Sequence, residues 1–106
     1  MHSTFERICA LVKIRKVRVS AHCYARLVKR GILATEIVAG TDQGAVIEDY
    51  PEAHIGPSVL VLQKDAQERP LHVVWGIEKD TTEPAVIVTA YNPDPALWGS
   101  DFRSRK

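Results

Sequence analysis

The spacing of apolar residues changes near residue 40 of this chain, and that change limits the folds it can adopt. From about residue 4 to residue 39, apart from a short alternating stretch at residues 14–19, apolar residues recur at the three- and four-residue intervals typical of amphipathic helices. From residue 45 onward they alternate or form short β-branched runs, which is typical of strands. A length of 106 residues fits one domain. We therefore predict a single α+β domain over residues 1–106, with two to three N-terminal helices packed on an antiparallel sheet of about four strands.

Capping residues indicate where the helices begin and end. Ser3 and Glu6 form a capping box ahead of a helix over about residues 4–13. Ser20 is a good N-cap for a second helix, and Gly31 can end that helix in the left-handed conformation. The pattern also predicts a short third helix over about residues 34–39 and a short strand over residues 14–19.

The sheet is expected from four later segments that are joined by short loops. Loops of this length favour antiparallel hairpins, because a parallel crossover needs a dozen or more residues. The tail, residues 94–106, is mostly polar and basic, and we expect it to be loosely ordered. The predicted strands are residues 45–50, 58–64, 71–78 and 85–92.

Charge is distributed unevenly along the chain. Residues 1–40 carry eight Lys or Arg against two Glu, whereas residues 41–100 carry three Lys or Arg against ten Asp or Glu. This asymmetry predicts one cationic and one anionic surface, and a cationic surface attracts polyanions such as nucleic acids. The alternative is that the two halves neutralise each other within the fold.

The second predicted helix carries the most informative side chains. His22, Arg26 and either Lys29 or Arg30 are spaced to share one face, opposite an apolar stripe of Tyr24, Leu27 and Val28. His22 lies in the first turn of this predicted helix, two residues after Ser20. The helix dipole there favours bound anions and the neutral form of an imidazole. A neutral histidine beside cations suits a general base acting next to a bound phosphate. The alternative is a solvated helix face.

Two further residues on the predicted strands are candidates for proton transfer. His72 alternates with apolar neighbours and so points to the other face of the sheet, as a second acid or base or as a hydrogen-bonded core histidine. Tyr91, at the end of the last strand, can donate a proton, stack on a base or cap the core.

Several other classes of protein are not indicated. The histidines and cysteines lack the short paired spacing of zinc sites, and no phosphate loop is present, so we expect neither a metal nor a cofactor. No apolar run approaches the roughly 20 residues of a membrane span. The start of the chain does not resemble a signal peptide. We therefore expect a cytoplasmic protein without a membrane partner, with Cys9 and Cys23 as reduced thiols.

Four segments in register resemble one bacterial domain family of unknown function. Residues 20–32 resemble its signature S-x-H-A-x-x-R-M-x-x-R-G-I, with Cys23 in place of alanine and Leu27 in place of methionine. Residues 46–51 resemble its hydrophobic-E-x-Y-P strand, residues 70–74 its P-L-H-V-V strand, and residues 86–93 its closing I-I-T-x-Y-x-P strand. The likeness covers about residues 17–93.

That family is similar to the RelE-like, or barnase–colicin–RelE, class of small ribonucleases and toxins. The resemblance implies helices on an antiparallel sheet and metal-independent cleavage of mRNA by attack of the ribose 2′-hydroxyl. It makes His22 an acid–base candidate and assigns the phosphate to Arg26 and Arg30, with Lys29 on the same helix face. His72 and Tyr91 would supply a second proton or a stacking surface.

The resemblance also implies partners. RNA would be the substrate, a cognate antitoxin protein would hold the toxin in check, and a homodimer is a further option. The alternative is a non-catalytic protein-interaction or regulatory module of the same fold, because a fold does not fix a function.

Overall fold

The computed structural model describes residues 3–106, which form three α-helices and a five-stranded sheet. The expectation about the start of the chain falls partly on Met1 and His2, which lie outside the described residues. The helices are α1 (Thr4–Lys13), α2 (Ala21–Arg30) and α3 (Ala34–Ala39), and a 3-10 turn follows at Thr41–Gln43. The strands are β1 (Val17–Val19), β2 (Ala45–Tyr50), β3 (Ser58–Lys64), β4 (Pro70–Ile77) and β5 (Ala85–Tyr91).

The predicted caps of the first two helices are confirmed. The Ser3 hydroxyl accepts a hydrogen bond from the Glu6 backbone N–H, and the Glu6 carboxylate accepts one from the Ser3 N–H, which completes the capping box. Ser20 caps α2 by accepting from the Cys23 N–H. Gly31 ends α2 with φ of 68°, a left-handed conformation that favours glycine.

The apolar stripe of α2 differs from the predicted one. Cys23 and Leu27 are buried, whereas Tyr24 and Val28 are 59% and 63% exposed. Cys23 and Leu27 are one helical turn apart, so they share a narrow strip that faces the core. Tyr24 directly follows Cys23, and Val28 directly follows Leu27. One position along a helix is a rotation of about 100° around its axis, which turns both side chains away from the core. The prediction was therefore right for Leu27 and wrong for the other two.

The sheet is mixed and has five strands, whereas an antiparallel sheet of about four strands was predicted; the fifth, β1, lies within residues 14–19, where the pattern predicted a short strand. Its order is β1-β5-β4-β3-β2, and the neighbours from β2 to β5 are antiparallel, as expected from their short loops. β1 adds to the edge of β5 in parallel, with Val17 opposite Ala85 and Val19 opposite Ile87. This pairing joins residues about two-thirds of the chain apart, so local spacing does not reveal it.

All three helices contribute to the core on one face of the sheet, and we call the opposite face the outer face. Ile8 of α1, Leu27 of α2 and Ile37 of α3 pack with alternate residues of the central strands. In β4 the residues on the core side are Leu71, Val73, Trp75 and Ile77, so His72, Val74 and Gly76 lie on the outer face.

The tail, for which the sequence predicts loose order, makes specific contacts with the outer face. Trp98 is 6% exposed and its ring meets the His72 ring edge-on, with 4.4 Å between the ring centroids. Arg105 forms an ion pair with Glu48 of β2, at 2.6 Å between Nη1 and Oε1. The Trp98 ring and the Phe102 carbonyl cover His72, which would otherwise lie on an open sheet surface.

The helices of residues 3–106 are too short and too polar for any of them to cross a bilayer.

Candidate functional site

Three polar side chains of α2 form an exposed row, which we call the cationic stripe: His22, Arg26 and Lys29. All three are exposed, as their spacing predicts. Among residues 3–106, no hydrogen bond or ion pair holds their side chains in place. They are therefore available to a ligand, and at neutral pH Arg26 and Lys29 carry a positive charge.

Arg30, the remaining candidate on α2, is attached to the sheet. Its Nη1 donates to the carbonyl of Ala90 at 2.9 Å and to the Thr89 hydroxyl at 3.3 Å. Within residues 3–106, β1 pairs only with residues 85–87 of β5, so the edge of β5 beyond them has no strand beside it. Arg30 donates to a carbonyl on that edge. An open strand edge can otherwise pair with a strand of another molecule. This gives Arg30 a structural contact in addition to its charge.

His72 and Tyr91 lie side by side on the outer face. They are opposite each other in the β4–β5 ladder, and His72 Nδ1 is 3.4 Å from the Tyr91 hydroxyl. His72 Nε2 is 2.8 Å from the carbonyl of Phe102. A carbonyl only accepts, so Nε2 carries the proton and Nδ1 is left to accept from Tyr91. Both contacts are those of a neutral imidazole.

Burial sets the charge states of this pair. The His72 ring is fully buried, and this desolvation lowers its pKa, which the hydrogen bond to Phe102 only partly offsets. Burial also raises the pKa of Tyr91, so its phenol keeps its proton at neutral pH. His72 thus occupies the hydrogen-bonded interior position that the sequence left open as its alternative role. Tyr91 is only half-buried and remains within reach of solvent.

The structure brings some of the predicted site residues together and leaves others apart. Arg30 reaches the β5 residues just before Tyr91, and Tyr91 contacts His72. His22 lies eight residues before Arg30, which is about 12 Å along an α-helix at its usual rise. The helix packs on the core face, whereas His72 lies on the outer face under Trp98. His22 and His72 are therefore not a matched acid–base pair.

The comparison with known families finds a match over the same part of the chain as these motifs. The family model described as a domain of unknown function, DUF4258, matches residues 19–92. The chain belongs to the DUF4258 family. No curated protein and no solved structure matches the chain.

The DUF4258 region contains the cationic stripe, His72 and Tyr91, but it excludes α1 and the tail. The contacts that bury His72 therefore come largely from residues outside the family region. The tail supplies Trp98, the Phe102 carbonyl and Arg105, whose guanidinium carbon lies 4.9 Å from the centre of the Trp98 ring.

The partners of Arg105 in the DUF4258 region were not among the predicted site residues. The Glu48 carboxylate raises the pKa of Arg105 through their ion pair. Burial raises the pKa of Tyr50, and the neighbouring Glu48 raises it further. Apolar Trp98 and Phe102 in a polar tail were the one sequence signal that the tail docks on the sheet.

Metal ligands are not gathered in the described part of the chain. Within residues 3–106, no three side chains of His, Cys, Asp or Glu are close enough together to hold an ion. Cys9 and Cys23 are both free thiols, and burial raises the pKa of each.

Proposed function

We propose that this chain is a RelE-like endoribonuclease, of the kind that acts as the toxin of a toxin–antitoxin pair, and that it cleaves mRNA without a metal ion. The observation that carries the proposal is the cationic stripe. It places an imidazole and two cations on one exposed face of α2, with no partner in the described chain. RNA presents phosphates at regular intervals, and unpaired cations on a rigid helix are suited to bind them.

The proposed reaction is transfer of the RNA phosphate to the neighbouring ribose hydroxyl. His22 accepts the proton from the 2′-hydroxyl as O2′ attacks phosphorus, and the bond from phosphorus to O5′ breaks. The departing O5′ takes a proton from the imidazolium or from water, leaving a 2′,3′-cyclic phosphate and a 5′-hydroxyl. Arg26 and Lys29 stabilise the charge that develops on the phosphoryl oxygens.

The remaining predicted site residues take supporting roles in this scheme. Arg30 contributes positive charge at the far end of α2 while it holds the helix to β5. Tyr91 is the half-exposed phenol next to it and can stack on a base or donate a hydrogen bond. His72 is fully buried, so it acts as a positioning residue that holds the Tyr91 hydroxyl and does not touch the substrate.

The test of catalysis compares two histidine variants that are both exposed. Wild type, His22→Ala and His54→Ala are expressed in a bacterial host, and growth and total RNA integrity are followed. His54 is exposed in the loop between β2 and β3, so its variant controls for loss of a surface histidine. We expect growth arrest and cut RNA with wild type and His54→Ala, and intact RNA with His22→Ala. Equal growth and intact RNA in all three would contradict the proposal.

Purified protein separates this reaction from metal-dependent cleavage. RNA is incubated with wild-type protein with and without a chelator, and the product ends are identified. We expect equal cleavage in both samples and 2′,3′-cyclic phosphate ends. Loss of cleavage on adding the chelator would favour a metal-dependent reaction instead. An antitoxin is sought as a protein that co-purifies with the chain and suppresses the growth arrest.

A second candidate is a non-catalytic binding module of the same fold. The burial of His72 favours it, because that leaves His22 as the one histidine of the proposed pair that a substrate can reach. This protein-interaction or regulatory module would leave RNA intact and growth normal. RNA binding that weakens with salt while the RNA stays intact would instead support a basic nucleic-acid binder without chemistry.

A further inference from the structure

The outer face holds an open pocket that the roles assigned above leave unused. Its volume is about 380 Å³, within the range typical of small-molecule sites. It lies at the end of the sheet where β1 joins β5, away from the part covered by Trp98. The residues that define this outer-face pocket are Ser20, Ile55, Ser58, Gly76, Val86 and Val88.

The floor of the pocket is flat because Gly76 has no side chain. A Cβ atom at this position would lie 3.1 Å from the Ser58 hydroxyl oxygen and 3.4 Å from a methyl group of Val88. The walls are apolar: Val86 and Val88 come from β5, and Ile55 from the loop before β3 is 58% exposed. Such a slot fits a thin, planar and largely apolar ring system.

Most polar groups lie at the rim of the pocket, and the Ser58 hydroxyl at its floor already donates to the Gly56 carbonyl. The Ser20 oxygen accepts from the Cys23 N–H, which leaves the hydroxyl hydrogen of Ser20 free to donate. Arg18 and Glu78 form an ion pair, and both also line the pocket. A hydroxyl, a guanidinium and a carboxylate offer donors and acceptors to the edge of a ring whose faces contact aliphatic side chains.

The pocket is connected to the proposed phosphate-binding surface through Ser20. This residue lines the pocket and is also the N-cap of α2, two positions before His22, where the cationic stripe begins. A ring held in the pocket would therefore have its attached sugar and phosphate close to that stripe. A lipid chain or an apolar peptide side chain would make no use of the cations.

We propose that the outer-face pocket binds one nucleobase of an RNA strand whose phosphates lie along the cationic stripe. This inference rests on the proposed function, because it names the subsite that would select where the strand is held. In this arrangement the aliphatic walls contact the two faces of the base, and the polar groups of the rim bind its hydrogen-bonding edge.

Binding is tested with 2′-deoxydinucleotides of each base, which cannot be cleaved by 2′-hydroxyl attack. Methyl NMR signals of Ile55, Val86 and Val88 are followed during titration of the wild-type protein. Val88→Phe fills the pocket, and Val46→Phe makes the same change on exposed β2, outside the pocket. We expect the wild-type methyl signals to shift, at least tenfold weaker binding in Val88→Phe, and wild-type affinity in Val46→Phe.

Three outcomes would overturn the inference. They are no methyl shift with any base at millimolar ligand, shifts confined to the tail or to α2, and equal weakening in both phenylalanine variants. Ile55→Ser is a second test variant in case Val88→Phe does not fold. Ile55 is exposed, so its replacement should leave the fold intact and should also weaken binding severalfold. If wild type cleaves RNA but no ligand binds the pocket, the proposed function stands and this inference fails. If the pocket binds a base but no RNA is cleaved, the proposed ribonuclease activity fails and the pocket remains a base-binding site.

Discussion

His72 donates a hydrogen bond from Nε2 to the backbone carbonyl of Phe102 at 2.8 Å, and this bond joins the middle of the sheet to the tail. The imidazole is fully buried, with Trp98 against its edge. Because the ring is neutral and its second nitrogen accepts from Tyr91, protonation would place a charge in a desolvated site and would require the Tyr91 hydroxyl to turn from donor to acceptor. The state of this one ring is thus coupled to the docking of the tail.

Stability is expected to fall in mild acid because of His72. Its pKa is lowered by burial in the folded protein, below the ordinary value of about 6.5 in the unfolded chain. As the pH falls below about 6.5 the unfolded chain takes up the proton first, so the free energy of unfolding declines until the folded pKa is reached. Urea denaturation at a series of pH values measures this decline.

The matched control for the pH profile is the exposed histidine of the loop before β3. His72→Gln should flatten the profile in this window, whereas His54→Gln should leave its shape unchanged. A profile of the same shape in wild type and His72→Gln would contradict the coupling.

Trp98 is expected to contribute more to stability than its place near the end of the chain suggests. It is 6% exposed against His72, whereas neighbouring Leu97 is 63% exposed. Trp98→Ala should lower the free energy of unfolding by about 3 kcal/mol, at the low end for large buried aromatic residues. Leu97→Ala should change it by less than about 0.5 kcal/mol. Chemical denaturation gives both values, and equal effects would show that the tail does not dock as described.

The sequence predicts the order of elements well because that order depends on local patterns. The capping box at Ser3, the left-handed residue Gly31 and the short loops between the later strands all act within a few residues. The parallel pairing of β1 with β5 and the docking of the tail depend on contacts between distant segments, although the sequence predicts a short strand at residues 14–19. Val17 pairs with Ala85, and Arg105 pairs with Glu48, so neither contact has a local signal.

The candidate site shows the same division. The exposure of His22, Arg26 and Lys29 follows from helical spacing. Alternation in β4 places His72 on the outer face, but whether that face is open depends on what covers it. Trp98 covers it, from 26 residues further along the chain. The capping of the open β5 edge by Arg30 likewise needs the short length of β1, which only the pairing reveals.

The buried strip of α2 can be tested by two similar truncations one residue apart. Leu27 is 1% exposed and Val28 is 63% exposed. Leu27→Ala should lower the free energy of unfolding by about 2–5 kcal/mol, the usual range for a buried leucine. Val28→Ala should change it by less than about 0.5 kcal/mol. A loss at Val28 comparable to that at Leu27, measured by urea denaturation, would restore the stripe expected from the sequence.

Arg30 and Lys29 should separate the structural role of a cation on α2 from its role in binding. The guanidinium of Arg30 holds the β5 edge through Ala90 and Thr89, so Arg30→Ala should lower the free energy of unfolding by about 1 kcal/mol. Lys29→Ala removes an exposed cation without a partner in residues 3–106 and should leave stability within about 0.5 kcal/mol of wild type.

The binding measurement is the salt dependence of fluorescence anisotropy with a short single-stranded RNA. Lys29→Ala should weaken binding and reduce the slope of log K against log salt by about 0.7, the value for one phosphate contact on a single strand. Lys79→Ala, at an exposed lysine just after β4 and outside α2, is the charge control and should leave the slope unchanged. Equal slopes for all three proteins would mean that RNA phosphates do not contact Lys29, and the cationic stripe would lose its proposed role.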